Sequence, residues 1–439
     1  MISVTSLLNL AHEEIPQLRQ EGANVAALEA LLAGLEGADE ARKAEIAHAF
    51  WAEAELLRAA LHDAAAEPSD LAGIHATRAE GPRRLRTVHD VVLADRLLGA
   101  WLGRCAGCML GKPVEGRTRE QIEVILAAAG WPELTNYFPP LDPVPEGIYY
   151  PRPDDPCLLG NITHSARDDD TDYTVLGFHL LEAHGPDFTT GHVADAWLNR
   201  LPYHQTYTAE RVAYRNLVDE VPIPATATVM NPYREWIGAQ IRADGFGYGA
   251  PGWPEKAAEF AFRDAALSHT KNGIYGEMYF AALVATCLVV DDLDEAIQIA
   301  LTEVPAQSRF ADMVRDVVTW CAQDADWDTT WRRIMATYGS YHPVHTINNA
   351  ALVLAGLLHS GGDFGKAICL SVWGGLDTDC NGATAGSVMG ALLGAEALPA
   401  MWTEPLHDTL HSAVQGFHVN RISHLAQRTL EVAEKVLAG

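Results

Sequence analysis

Basic residues are scarce in this chain. Against 58 Asp and Glu stand 31 Lys and Arg in 439 residues, for a net charge of −27. A surface of that sign repels phosphate backbones and anionic lipid, which argues against nucleic acid or a membrane as an electrostatic partner. A small basic patch for a phosphorylated ligand is still compatible with it. Cysteine is sparse and odd in number, at 105, 108, 157, 287, 321, 369 and 380. That argues against a disulfide framework and fits a reducing, cytoplasmic compartment. Long apolar runs are missing too. One of the longest, Met278 to Val290, is interrupted by Thr286 and falls short of the roughly 20 residues that cross a bilayer. Met1-Ile2-Ser3-Val4-Thr5 carries no basic stretch ahead of an apolar one, so no secretory signal is expected there. Alternating β-branched runs are nearly absent, which points to an all-α class.

What is present is apolar content, 48% of residues, enough for a large core. Leu7, Leu8 and Leu10, then Ala27, Leu28, Leu31, Leu32 and Leu35, recur at helical spacing. Gly34, Gly37 and Asp39 mark a turn, and Ala44 to Ala65 forms a third helical run. Glu67 to Pro82 is polar with two prolines and reads as a linker. The expected organisation is an N-terminal helical extension over residues 1–84 and a compact multi-helix domain over 85–439. Within the latter, Asn136 to Leu159 holds seven prolines and reads as an irregular surface loop. Tyr203 to Pro232 and the glycine-rich Arg242 to Pro254 read as further irregular stretches. Long loops in a helical domain often carry function.

Gly99, Gly103, Gly107 and Gly111 fall at strict four-residue spacing, as do Gly382, Gly386, Gly390 and Gly394. Residues four apart share a helix face. Each glycine weakens a helix by about 1 kcal/mol relative to alanine, so a stripe of four needs a compensating contact. Close approach of another backbone supplies one. The two helices are expected to pack tightly, and an antiparallel pairing would bring Glu115 beside the start of the second.

Two acidic clusters stand at helix starts: Arg167-Asp168-Asp169-Asp170-Thr171-Asp172 and Gly374-Gly375-Leu376-Asp377-Thr378-Asp379-Cys380-Asn381-Gly382. A helix macrodipole offers about half a charge, which accounts for one or two aspartates but not three in a row. Carboxylates crowded among apolar residues need a compensating cation, so two such clusters point to one hard-metal site across the fold. Cys105-x-x-Cys108 lies inside a glycine stripe with no second pair. Buried structural cysteines are the expectation there, with a redox or zinc role as the alternative.

From about residue 93 to 400 these segments resemble the ADP-ribosylglycohydrolase family. Asp95 to Gly103, continuing through Gly111-Lys112-Pro113-Val114-Glu115, resembles its opening helix and Gly-x-Pro-x-Glu ending. Asp168-Asp169-Asp170-Thr171 resembles its Thr-Asp-Asp-Thr motif, and Gly375-Leu376-Asp377-Thr378-Asp379 its Gly-Gly-Asp-Thr-Asp-Thr motif. Ser268-His269-Thr270 resembles a Thr-His between them. The resemblance implies an all-α fold around two Mg²⁺ ions, with Mn²⁺ as a substitute. Carried over, the metal ligands are Asp168, Asp169, Asp170, Asp377, Asp379 and Cys380. Glu115, Asp169 and Asp170 are the implied acid/base residues. Three positions depart from the pattern: Asp168 and Cys380 stand where the family has threonine, and Cys108 where it has aspartate. Thiol is a poor ligand for hard Mg²⁺, so Asn381 or water is an alternative at that vertex.

The activity so implied is hydrolysis at C1 of a ribose in a small-molecule or protein-linked ADP-ribosyl substrate. His269, Asn272, Gly273 and Asn381 are expected to contact it. His345, ahead of Asn348 and Asn349, is a further cleft candidate, although a helix cap or satisfied polar residue accounts for His269 equally well. Phe246 and Tyr248 could stack on a base or belong to a plain surface loop. Two alternatives stay open: a nucleoside-type N-ribosyl hydrolase on the same scaffold, and a non-catalytic binding homologue.

Overall fold

The computed structural model describes residues 3–61, 66–86 and 88–438. It is 65% helical, and among the described residues the sheet is one short antiparallel pair, Thr409–His411 with Val419–Arg421. The all-α class expected from the missing β-alternation is the class adopted. Polar caps decide where many helices begin: Asp70, Thr118, Asp168 and Ser308 each accept a hydrogen bond from a first-turn N–H.

Two helices, Lys271–Cys287 and Thr378–Leu393, are buried almost all the way round. Their lack of a polar face is what a central helix requires. Amphipathic helices surround them. Arg309–Gln323, for example, buries Phe310, Met313, Val314 and Val317 along one stripe.

The glycine stripes meet. The helices Asp90–Gly111 and Thr378–Leu393 run antiparallel with backbones in contact. A Cβ added at Gly103 would lie 2.1 Å from the Gly386 carbonyl oxygen, one at Gly107 1.8 Å from that of Gly382, and one at Gly111 2.1 Å from that of Thr378. Atoms cannot approach that closely, so hydrogen is the sole side chain these positions accept. The glycine periodicity therefore sets both the separation and the register of the central pair.

The N-terminal helices Val4–Gln20, Ala26–Ala33 and Glu40–Leu61 form their own apolar cluster around Leu7, Leu28, Phe50 and Trp51, into which Val212 inserts. The helical run expected through residue 65 is described as far as Leu61; residues 62–65 lie outside the described set, as do Met1 and Ile2 of the N-terminal motif. The seam with the remaining helices is ionic. Arg234 pairs with Glu14 at 2.8 Å and also with Glu21, Lys271 with Glu21 at 2.5 Å, and Arg309 with Glu67 at 2.7 Å and Glu235 at 2.8 Å.

Three segments differ from the sequence reading. Residues 67–82 contain the helix Leu71–Thr77, capped by Asp70 and anchored by buried Ile74, so the prolines bound a packed element. The stretch from 203 to 232 contains the helix Thr208–Val218, whose short stripe of Ala209, Val212 and Ala213 is buried. The glycine-rich 242–254 region contains the buried helix Ala243–Gly249. There, a Cβ at Gly245 would fall 2.7 Å from the Phe178 amide nitrogen, and one at Gly247 2.8 Å from the Ala281 carbonyl oxygen. Glycine here answers a packing demand that overrides its low helix propensity. Residues 136–159 are irregular as expected, yet Tyr137, Phe138 and Leu158 are fully buried, so this loop roofs the core as well as facing solvent.

Candidate active site

The antiparallel glycine pair brings the end of one helix beside the start of the other. Gly111 closes the first helix, and its carbonyl oxygen accepts a hydrogen bond from Thr378 Oγ1 at 2.8 Å. The chain then turns through Lys112–Val114 to Glu115. Two backbone bonds clamp this turn to the second acidic motif: Gly116 N–H to the Leu376 carbonyl at 3.0 Å and Leu376 N–H to the Arg117 carbonyl at 3.2 Å. Gly375 adopts φ +79°, and a Cβ there would meet the Arg117 carbonyl oxygen at 2.9 Å. As a result, ligand oxygens of Glu115, Asp377 and Asp379 come within 4.8 Å of one another.

The first acidic motif arrives from a third helix, Asp169–His184. Asp168 caps it, accepting from Asp170 N–H at 3.1 Å. Asp170 is 1% exposed, and both of its oxygens are engaged. Arg104 donates to Oδ1 at 3.1 Å, and the Cys380 thiol donates to Oδ2 at 3.2 Å. Arg104 is itself fully buried and spans to Asp244 at 2.8 Å and to the Ile241 carbonyl at 2.6 Å. Lys112 forms an ion pair with Asp168 Oδ2. Two further triads of potential ligand atoms lie within 4.8 Å of one another, Cys108–Asp168–Asp170 and Asp170–Asp379–Cys380. Asp169 joins none of the three triads.

Six carboxylates (Glu115, Asp168, Asp169, Asp170, Asp377 and Asp379) thus share a small volume with Lys112 and with Arg104, whose charge Asp244 also draws on. The electrostatics follow. Burial pushes the Asp169 carboxyl well up, with Asp168 and Asp379 adding to it. Asp377 is raised by burial and then by Asp379. Asp170 is raised by burial, with Arg104 opposing. Glu115 keeps solvent on one side, and repulsion from Asp379, ahead of burial, pushes it up to about 8. For Asp168 burial acts upward but the Lys112 ammonium outweighs it, and the net direction is down. The Cys380 and Cys108 thiols are held well above their ordinary range, first by burial, so both are neutral and suited to donating hydrogen bonds. One oxygen stands apart: Asp379 Oδ1 is buried with no hydrogen-bond partner. Clustered carboxylate oxygens of this kind, one of them unpartnered, are a donor set suited to Mg²⁺ or Mn²⁺.

The expected substrate contacts do not all gather here. Asn381 lies in the first turn of its helix, next to Cys380, where Nδ2 donates to Asn349 Oδ1 at 2.9 Å and its own Oδ1 has no partner. Asn349 Oδ1 also accepts from Asp377 N–H at 3.1 Å, so it braces the second motif. Asn272 is not brought to the acidic cluster. Its amide is spent between Glu235 Oε2 at 2.9 Å and Phe310 N–H at 2.9 Å. Gly273 is likewise spent on packing, since a Cβ there would lie 2.5 Å from the Arg234 carbonyl oxygen. His269 is buried, with Nδ1 2.8 Å from Ser268 Oγ, and belongs to the wall of a separate cavity of about 690 Å³ between the N-terminal helices and the remaining fold. His345 caps the Thr346–His359 helix, accepting from Ile347 N–H at 3.1 Å. Phe246 and Tyr248 are fully buried, with Tyr248 Oη 2.7 Å from Ser387 Oγ, so they are core residues and not a stacking platform. All seven cysteines are unbridged.

Sequence reasoning missed the two internal cations. Arg104 sits between Gly103 and Gly107 in the buried C-terminal half of its helix, and Lys112 three residues before Glu115. A charge set among small and apolar residues beside the glycine stripe was the available signal for Arg104.

A helical scaffold thus converges carboxylates from three chain segments on one site that could hold a metal ion. The chain belongs to the ADP-ribosylglycohydrolase family, whose model matches residues 89–437. This is a family of glycosidase-type hydrolases. Among solved structures, one described as "ADP-ribosylglycohydrolase-related protein complex" is similar at 19% identity and a TM-score of 0.45, covering 78% of this chain and 99% of that one. No curated protein matches. No helix among the described residues is long and apolar enough to cross a membrane.

Proposed function

We propose that this chain is a divalent-metal-dependent hydrolase that cleaves the bond between C1 of an ADP-ribosyl ribose and a nitrogen or oxygen leaving group. The observation that carries the reading is the convergence of Glu115, Asp377 and Asp379 ligand oxygens within 4.8 Å, with Asp379 Oδ1 left unpartnered, in a member of this family. Those three residues would hold Mg²⁺ or Mn²⁺, and the bound ion would supply Lewis acidity toward the ribose hydroxyls and a water.

The chain's own residues divide the remaining work by their accessibility. Glu115 is the solvent-facing carboxyl of the cluster. Its oxygen away from the ion can relay a proton from bulk water to the departing atom. Asp169 is partly exposed, lies within the electrostatic reach of Asp379, and orients or deprotonates the attacking water. Asp170, with Arg104 and Cys380 on its two oxygens, holds the frame. The ring of carboxylates stabilises the positive charge that builds on the ribose as its bond to the leaving group breaks.

The test replaces Asp169 and Asp377 singly with Asn and follows Mg²⁺-dependent release of ADP-ribose from arginine-linked and hydroxyl-linked substrates. Both variants should lose turnover, and Asp377→Asn should also lose metal affinity. Normal metal binding and turnover in both would remove the site assignment. Preferential hydrolysis of free nucleosides would transfer the reading to a nucleoside-type N-ribosyl hydrolase.

A further inference from the structure

We infer that Lys112 is the resident cation of the first acidic pole, so that the site takes one divalent ion, at Glu115, Asp377 and Asp379, instead of two. The inference rests on the metal-site reading above and departs from its expected ion count.

Few carboxylate oxygens of the first acidic motif are free. Asp168 is 2% exposed. Its Oδ2 pairs with Lys112 Nζ, and its Oδ1 accepts from Asp170 N–H at 3.1 Å. Asp170 has Arg104 on one oxygen and the Cys380 thiol on the other. Of the three consecutive aspartates, that leaves Asp169 alone without such a partner, and an ion held there by one carboxylate would keep most of its water and gain little from the protein. The two triads that reach this pole each include Asp170 and a thiol, and a thiol is a poor ligand for Mg²⁺. The other pole is the reverse case. It offers three carboxylates with no thiol, and Asp379 Oδ1 is buried without a partner.

Lys112 is built for this role by its position. It follows directly on Gly111, where the glycine contact ends, and its side chain is 29% exposed. Its stem can run inward from the rim while its ammonium meets Asp168. Asp168 places a buried carboxylate at the cap of its helix, and Lys112 supplies the matching positive charge. The ammonium therefore does at this pole what a second ion would do.

The experiment uses the full-length chain, stripped with chelator and titrated with Mn²⁺. Bound ions are counted by equilibrium dialysis with metal analysis, and the bound state is read by electron paramagnetic resonance. The wild type should bind one ion per chain, with the hyperfine pattern of an isolated Mn²⁺. Lys112→Met frees Asp168 and should raise the count to two, with a spin-coupled spectrum. Lys112→Arg retains the cation and should stay at one. Two ions in the wild type, or one in Lys112→Met, overturns the inference while leaving the metal site standing. No ion in the wild type removes the metal-site reading itself, and this inference with it.

Discussion

The contact between the glycine stripes can be tested by two alanine substitutions expected to act with opposite sign. At Gly107 an added Cβ would sit 1.8 Å from the Gly382 carbonyl oxygen, whereas ordinary contact begins at 3.4 Å, so the helices must separate by the difference, 1.6 Å. Alanine improves intrinsic helix stability by about 1 kcal/mol. Against that, overpacking typically costs about 1–3 kcal/mol and occasionally more. Here the obstacle is backbone, which cannot rotate away, so the upper end applies and the net effect is destabilisation by about 2 kcal/mol. The separation also propagates one turn along to Gly111 and Thr378, where Glu115 is set against Asp377 and Asp379. A displacement of about 1 Å at a reacting centre can lower turnover on the order of a hundredfold. Gly191, in the exposed first turn of the Thr190–Arg200 helix, meets nothing closer than 3.4 Å. Gly191→Ala should therefore stabilise, by up to about 1 kcal/mol. Urea unfolding followed by circular dichroism and Mn²⁺ affinity measured on the same samples decide the matter. If Gly107→Ala matches Gly191→Ala in both stability and metal binding, the backbone-contact account of the stripes is wrong.

Other consequences follow from the buried charges. Glu21 is raised by burial, but Arg234 and Lys271 outweigh this and hold it at about 2 against an ordinary 4.5. A depressed folded-state value contributes stability above the unfolded value. That contribution, on the order of 3 kcal/mol, is lost as pH falls from about 4.5 to about 2. Glu21→Gln should therefore unfold at lower urea than wild type at pH 7, and the gap should close across that acid window. Arg242 stands among Glu210, Asp264 and Glu277, all buried, so Arg242→Met should destabilise by about 3–5 kcal/mol. Burial, then Asp264, raises the Glu277 carboxyl well above its ordinary range. Glu277→Gln should cost under about 1 kcal/mol on the same urea curves, and a large loss would show that Glu277 is ionised. Asp379→Asn should abolish the rise in melting temperature that millimolar Mg²⁺ gives the wild type by mass action; an unchanged rise would place the ion elsewhere.

The parts of this molecule legible in one dimension are those with a period or a fixed local order. Two four-residue glycine repeats implied two close backbones, and the Gly111 to Glu115 run implied a carboxylate at their meeting point. The glycines of Ala243–Gly249 had no long period to reveal them, and their contacts to Phe178 and Ala281 lie far away in sequence, so that helix read as a loop. Asn272 read as a substrate contact because Lys271-Asn272-Gly273-Ile274-Tyr275-Gly276 looks like a turn lining a cleft. Its amide is consumed by Glu235 and Phe310, partners that no local window contains.

The sequence by itself determined the helical class, the charge, the register of the central pair and the identity of the clustered acids, because each depends on spacing along a helix or on side-chain chemistry. The tertiary structure alone decided which of those acids have a free oxygen. Arg104 neutralises Asp170 from a different helix, Lys112 takes Asp168 across the turn, and Asp379 Oδ1 is left without a partner. Pairing is a matter of distance in space, and burial makes each such pairing decisive, since a buried charge without a partner is strongly disfavoured.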